Sequence, residues 1–181
     1  MATEAWLRGP IPGVTPLLMP VAHAIVQAAD DAEGAAAGLG PEELWARPGG
    51  AAAVGFHLRH IAGVLDRLFT YARGEALSAA QLRALEAEGD PGTPPAAASE
   101  LIGALRGAVE RALEQLRATP ADGLLEPRGV GRKQVPSNVI GLLFHAAEHA
   151  QRHTGQIVAT AKVVRGQAAE RAGAPRTGAK P

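Results

Sequence analysis

Three of the six histidines, His145, His149 and His153, recur at four-residue intervals inside the run Val135–Gly166. In an α-helix, positions four apart differ by about 40° of rotation, so these imidazoles climb one face. Leu142, Ala146, Ala150, Ile157 and Ala161 share that face at the spacing of a core stripe, which points the rings into apolar surroundings. Two imidazoles at i and i+4 can hold one metal ion from a single turn, provided a further ligand comes from another element. The run Gly49–Gly74 offers one, because His57 and His60 stand there at helical spacing with Val64 and Leu68, beside Ile61, Leu65 and Tyr71. Two such helices packed about 8–10 Å apart can close on one ion.

The rest of the chain predicts helices that would place these two. Thr15-Pro16 reads as the N-cap and first residue of a helix whose apolar face is Leu17, Leu18, Val21, Ile25, Ala28, Ala29 and Ala32, fading near Gly38–Gly40. A connection with one short helical turn follows, its Trp45 expected as a packing plug. The second helix spans about 51–73, with Gly74 at the C′ position. Ser78 caps a short helix with Leu82 and Leu85 expected inward. A third long helix carries the stripe Leu101, Leu105, Val109, Ala112 and Leu116 and ends at Thr119-Pro120. The fourth is the histidine helix, with Ser137 as its expected cap. No stretch alternates as a strand should.

The fold class expected is therefore all-α: a four-helix bundle over 15–165, with a short extra helix between helices two and three. The linker there is about 20 residues, and at about 3.3 Å per residue it can run the length of the bundle, which predicts parallel second and third helices in an up-down-down-up order. Residues 1–14 are expected to be irregular, with Trp6 packed onto the domain, and 166–181 to be a disordered tail. His23 reads as an ordinary, partly exposed histidine.

Composition removes several function classes. Lys plus Arg equals Asp plus Glu at 18 each and aromatics make up 3%, which gives neither the field nor the stacking platforms of a nucleic-acid binder. There is no cysteine, so a metal site must use nitrogen and oxygen ligands, and any thiol in the chemistry must come from a small molecule. No apolar run approaches the roughly 20 residues of a membrane span, and the N-terminus lacks the layout of a signal peptide. A cytoplasmic protein without nucleic-acid or membrane partners is expected.

GFHLRHIAG in the second helix and LLFHAAEHAQRHTGQI in the fourth resemble the two signature stretches of the DinB/YfiT-like bundle proteins, and the helix map agrees over about 15–165. The resemblance implies a divalent metal held by one histidine of helix two and two of helix four. These fall on His60, in the LRHIAG context, and on His149 and His153, in the HAQRHTGQI context. It further implies a homodimer acting on a small-molecule substrate. Zinc or nickel is the expected ion, with iron a further candidate. Characterised relatives include thiol-dependent S-transferases and a thiol-dependent isomerase, which brings a low-molecular-weight thiol as cosubstrate.

A span of eight residues, about 12 Å along the axis, keeps His145 and His153 from sharing one ion. His145 and His57 are then expected to flank the site on opposite sides, as hydrogen-bonding or substrate-facing groups. Gln156, three residues beyond His153, is a candidate to hold an imidazole or a water, and Arg128, Arg132 and Lys133 are candidates to receive an anionic substrate. Glu148 is expected at the rim, rotated about 100° from its neighbour His149. His145-Ala-Ala-Glu148-His149 also spells the H-x-x-E-H pattern of a metallohydrolase. A Glu-x-x-His di-iron pair is missing from the sequence. The reading outside catalysis is a bundle that holds a metal or small ligand without turnover.

Overall fold

The computed structural model describes residues 3–173. It is predominantly helical: α1 spans Met19–Ala36, α2 Pro41–Leu44, α3 Val54–Ala72, α4 Ala79–Glu86, α5 Ala98–Ala118 and α6 Val139–Gly173, with strands β1 Pro127–Val130 and β2 Val135–Asn138 before α6. No helix among the described residues is long and apolar enough to cross a membrane.

The four long helices form because each offers one continuous apolar stripe, and burying those stripes against one another makes a single core. Val21, Ile25, Ala28, Ala29 and Ala32 of α1 meet Leu58, Ile61 and Leu65 of α3, the expected stripe of α5, and Leu143, Ala146, Ala150, Ile157 and Ala161 of α6. α6 packs against both α3 and α1, and α5 lies against the same two helices. Behind the imidazole face, Gln151 Nε2 donates to the Ala24 carbonyl at 2.7 Å and Thr154 Oγ1 to that of Ala28 at 3.2 Å. Across the bundle, Gln115 Nε2 donates to the Phe69 carbonyl at 2.9 Å, while Arg106 pairs with Asp30 and Glu33.

Several expectations need correction. Pro16–Leu18 is a 3-10 turn, and α1 proper starts at Met19, with Pro20 in its first turn where a missing N–H costs little. Trp6 is 61% exposed rather than packed down, its indole bound to Glu4. Leu82 and Leu85 face solvent, because α4 docks through polar groups: Gln81 Nε2 bonds both Asp66 and Thr70 of α3 at 2.8 Å, within a capping box shared with Ser78. The cap of α6 is Asn138, one residue past Ser137, its Oδ1 accepting from the Gly141 amide at 2.8 Å.

The hairpin β1–β2 has no counterpart in the sequence reading. Its strands are four residues each, antiparallel, with Gly129 opposite Pro136, so there is no apolar alternation to detect. Arg128 fastens it: Nε donates to the Ala72 carbonyl at the end of α3, and Nη2 to Glu126. Finally, α6 continues to Gly173, where a tail had been expected from 166; residues 174–181 lie outside the described residues.

Candidate metal centre

α3 and α6 bring four imidazoles together in two rungs. His57 Nδ1 lies 2.9 Å from His153 Nδ1, and His60 Nε2 lies 2.9 Å from His149 Nε2. The rungs touch: ring centroids are 4.4 Å apart for His60 and His153, and 4.5 Å for His149 and His153. One nitrogen from each of His60, His149 and His153 falls within 4.8 Å of the other two. Around a tetrahedral ion with bonds of about 2.0–2.1 Å, ligand nitrogens stand about 3.3 Å apart, so these three suit one centre after small adjustments.

The electrostatics favour the form that binds cations. Burial, then the neighbouring His60, holds His57 down at about 4. Burial, then His60, His149 and His57, holds His153 at about 4 as well. His149 is lowered from its ordinary value by burial first, and then by His60 and His145. Near neutral pH these rings keep free lone pairs. His149 Nδ1 is buried and has no hydrogen-bond partner, a cost ordinary cores avoid. An unpartnered nitrogen amid neutral imidazoles fits a donor set built for a cation.

Around the cluster, Phe56 stacks on His60 with ring centroids 5.3 Å apart and planes 15° apart, and turns its edge to His57 at 5.2 Å. His60 Nδ1 contacts Glu88 Oε2 at 2.7 Å, and the other oxygen of Glu88 accepts from Arg67 Nη1 at 2.7 Å. Glu88 is 5% exposed and Arg67 8%. Glu88 was not singled out in the sequence, because it sits in an aperiodic linker just past α4. The available signal was Arg67, which shares the face of His57, His60 and Val64 and so called for a buried anion.

The other candidates do not join the cluster. His145 is exposed; its ring touches that of His149 at 5.4 Å, but its Nδ1 faces Glu148 Oε2 at 3.3 Å. Glu148 also takes Arg152, whose hydrogen bond lowers the carboxyl below its usual range, so His145 and Glu148 of the H-x-x-E-H pattern lie in a surface ion-pair group and only its His149 joins the cluster. Gln156 is exposed and hydrogen-bonds to none of the imidazoles. Arg128 is spent on the end of α3, twelve residues or about 18 Å along the axis from His60, and Arg132 and Lys133 occupy the hairpin turn. Trp45 behaves as a plug: its indole donates to the Ala96 carbonyl at 3.0 Å, and a Cβ on Gly55 would come within 2.8 Å of its ring.

The model of the DinB superfamily matches residues 24–157, a span that runs from within α1 to α6 and contains every histidine of the cluster. No curated protein matches the chain.

Proposed function

The chain belongs to the DinB superfamily, and from that premise we propose that it binds one divalent metal ion through His60, His149 and His153 and works as a thiol-dependent transferase or isomerase on a small molecule. The observation that carries this reading is the convergence of one nitrogen from each of these side chains within 4.8 Å. When bound, the ion would supply Lewis acidity, which eases loss of a proton from water or a thiol near neutral pH.

The chain's own residues do the rest. Burial keeps His149 and His153 uncharged, so they can offer lone pairs without first losing protons. Phe56 covers one face of His60 and excludes water there. Beside it lies a cavity of about 550 Å³, bounded by Trp45, Arg47, Phe56 and Gly89, in which we place the small-molecule substrate. Having no cysteine, the protein would take its sulfur from a low-molecular-weight thiol. Zinc and nickel suit an all-imidazole set, and iron is the next choice. A homodimer in the cytoplasm completes the proposal.

The helix order belongs to the same reading. Up-down-down-up is supported by the pairing of 57 with 153 and 60 with 149, of 24 with 151 and 28 with 154, and of 106 with 33 and 117 with 12.

Elemental analysis of tag-free protein tests the metal site. Near-stoichiometric divalent metal is expected in the wild type and its loss in His60→Ala, His149→Ala and His153→Ala; a metal-free wild type ends the proposal. Thiol-transfer activity that vanishes with the metal supports the enzyme. Metal loss with activity intact would separate the ion from the chemistry, and a metal-loaded wild type without thiol transfer would leave only a metal-holding bundle.

A further inference from the structure

Beside the histidines lies a second polar cluster that the metal reading does not use: Glu88, Arg67 and the gap at Gly63. We infer that Glu88 is a positioning residue that locks His60 in the tautomer with its proton on Nδ1, so that the lone pair of Nε2 faces the cluster. Its effect on metal affinity rests on the metal-binding reading above; its effect on the tautomer does not.

A carboxylate only accepts hydrogen bonds, so the 2.7 Å contact between Glu88 Oε2 and His60 Nδ1 requires a hydrogen on that nitrogen. In a neutral ring the lone pair is then on Nε2, the atom that faces His149 Nε2 at 2.9 Å. Arg67 fixes the carboxylate from the other side, because a guanidinium only donates and it already holds Oε1 at 2.7 Å. The three groups thus have one consistent arrangement of hydrogens.

The backbone is shaped to admit them. A Cβ at Gly63 would lie 2.5 Å from Glu88 Oε1 and 2.6 Å from Arg67 Nη1, so a glycine at this point of α3 leaves room for the ion pair. The segment carrying Glu88 is clamped over α3: Arg59 donates to the Ala87 and Asp90 carbonyls, and Gln81 bonds Asp66 and Thr70.

Glu88→Gln tests the assignment with little change of shape. Since Arg67 offers only donors, the amide oxygen must stay with Arg67 and the NH₂ must turn to His60. Nδ1 then has to accept, the proton moves to Nε2, and the lone pair leaves the cluster. Side-chain ¹⁵N NMR of the metal-stripped protein should show His60 protonated on Nδ1 in the wild type and on Nε2 in Glu88→Gln. Chelator competition should show metal affinity falling by roughly 10- to 100-fold, with the fold retained.

Gly63→Ala, which alters no polar group, should weaken metal binding in the same direction by displacing the carboxylate. Glu148→Gln should change neither readout. A wild-type His60 protonated on Nε2 overturns the inference, as does a Glu88→Gln protein whose affinity stays within about twofold of the wild type. If the wild type holds no metal, the metal reading falls while the NMR still decides the tautomer. If Glu88→Gln does not fold, the wild-type NMR and Gly63→Ala decide it.

Discussion

Two glutamates in this molecule each hold one arginine and one histidine, and they have opposite weight. Glu88 joins Arg67 to His60 beneath the surface, its side chain 7% exposed. Glu148 joins Arg152 to His145 on the outside of α6, its side chain 38% exposed. The partners are chemically identical, so the difference lies in the surroundings. In water an ion pair exchanges one good solvation for another and gains little. Out of water, losing one member strands the other charge without either protein or solvent to answer it.

The largest effect should come from breaking the pairs one at a time. Glu88→Ala leaves Arg67 buried and alone and should cost about 3–5 kcal/mol in chemical denaturation, whereas Glu148→Ala should leave the midpoint unchanged. Comparable losses for both would mean that burial does not separate them.

A pH series sharpens the same contrast from the histidine side. His57 and His153 have folded values of about 4 against an ordinary 6.5, so the unfolded chain binds protons more readily between those limits. Their contribution to stability is therefore complete above about 6.5 and is lost as pH falls toward 4. For the buried His57 this amounts to on the order of 3 kcal/mol. Urea midpoints of metal-stripped protein at descending pH should follow this course, and His57→Gln should flatten it. The smallest effect concerns glycine on the two faces. Nothing lies within 4 Å of a Cβ at Gly155, so Gly155→Ala on the outside of α6 should gain up to about 1 kcal/mol. Gly63→Ala, under the Glu88 carboxylate, should instead destabilise, and thermal melts of the two variants would show the opposite signs.

The same contrast explains what could be read from the chain. The long helices and the two histidine-bearing faces were legible because burial imposes a period on sequence, and that period recurs over many residues in α3, α5 and α6. The choice of His60, His149 and His153 among those histidines came from the family resemblance, since spacing alone left His57 and His145 open. Glu148 was legible by the same period: about 100° round the helix from His149, it falls on the rim and pairs there with His145 and Arg152. Glu88 escaped notice because its burial is tertiary: it comes from α4 folding back over α3 through Gln81 and Arg59, and no local pattern records that return. The hairpin was equally silent, its strands being held by Arg128 on the Ala72 carbonyl rather than by a hydrophobic face. Leu82 and Leu85 misled for the converse reason, since apolar residues on a short helix docked by polar groups are free to face outward.

The alanine seam between α1 and α6 bears on how faithfully the imidazoles can be aimed. Ala28, Ala29 and Ala32 let the two rods come close, while Gln151 and Thr154 hook onto the carbonyls of Ala24 and Ala28 from the side away from His149. A ring nitrogen roughly 6 Å from the helix axis would swing by about 1 Å if α6 rolled by 10°, enough to spoil a coordination geometry. The rail that prevents such rolling is made of residues with no reactive atoms, so a bulkier side chain at Ala28 would detune the centre without touching a single one of its ligands.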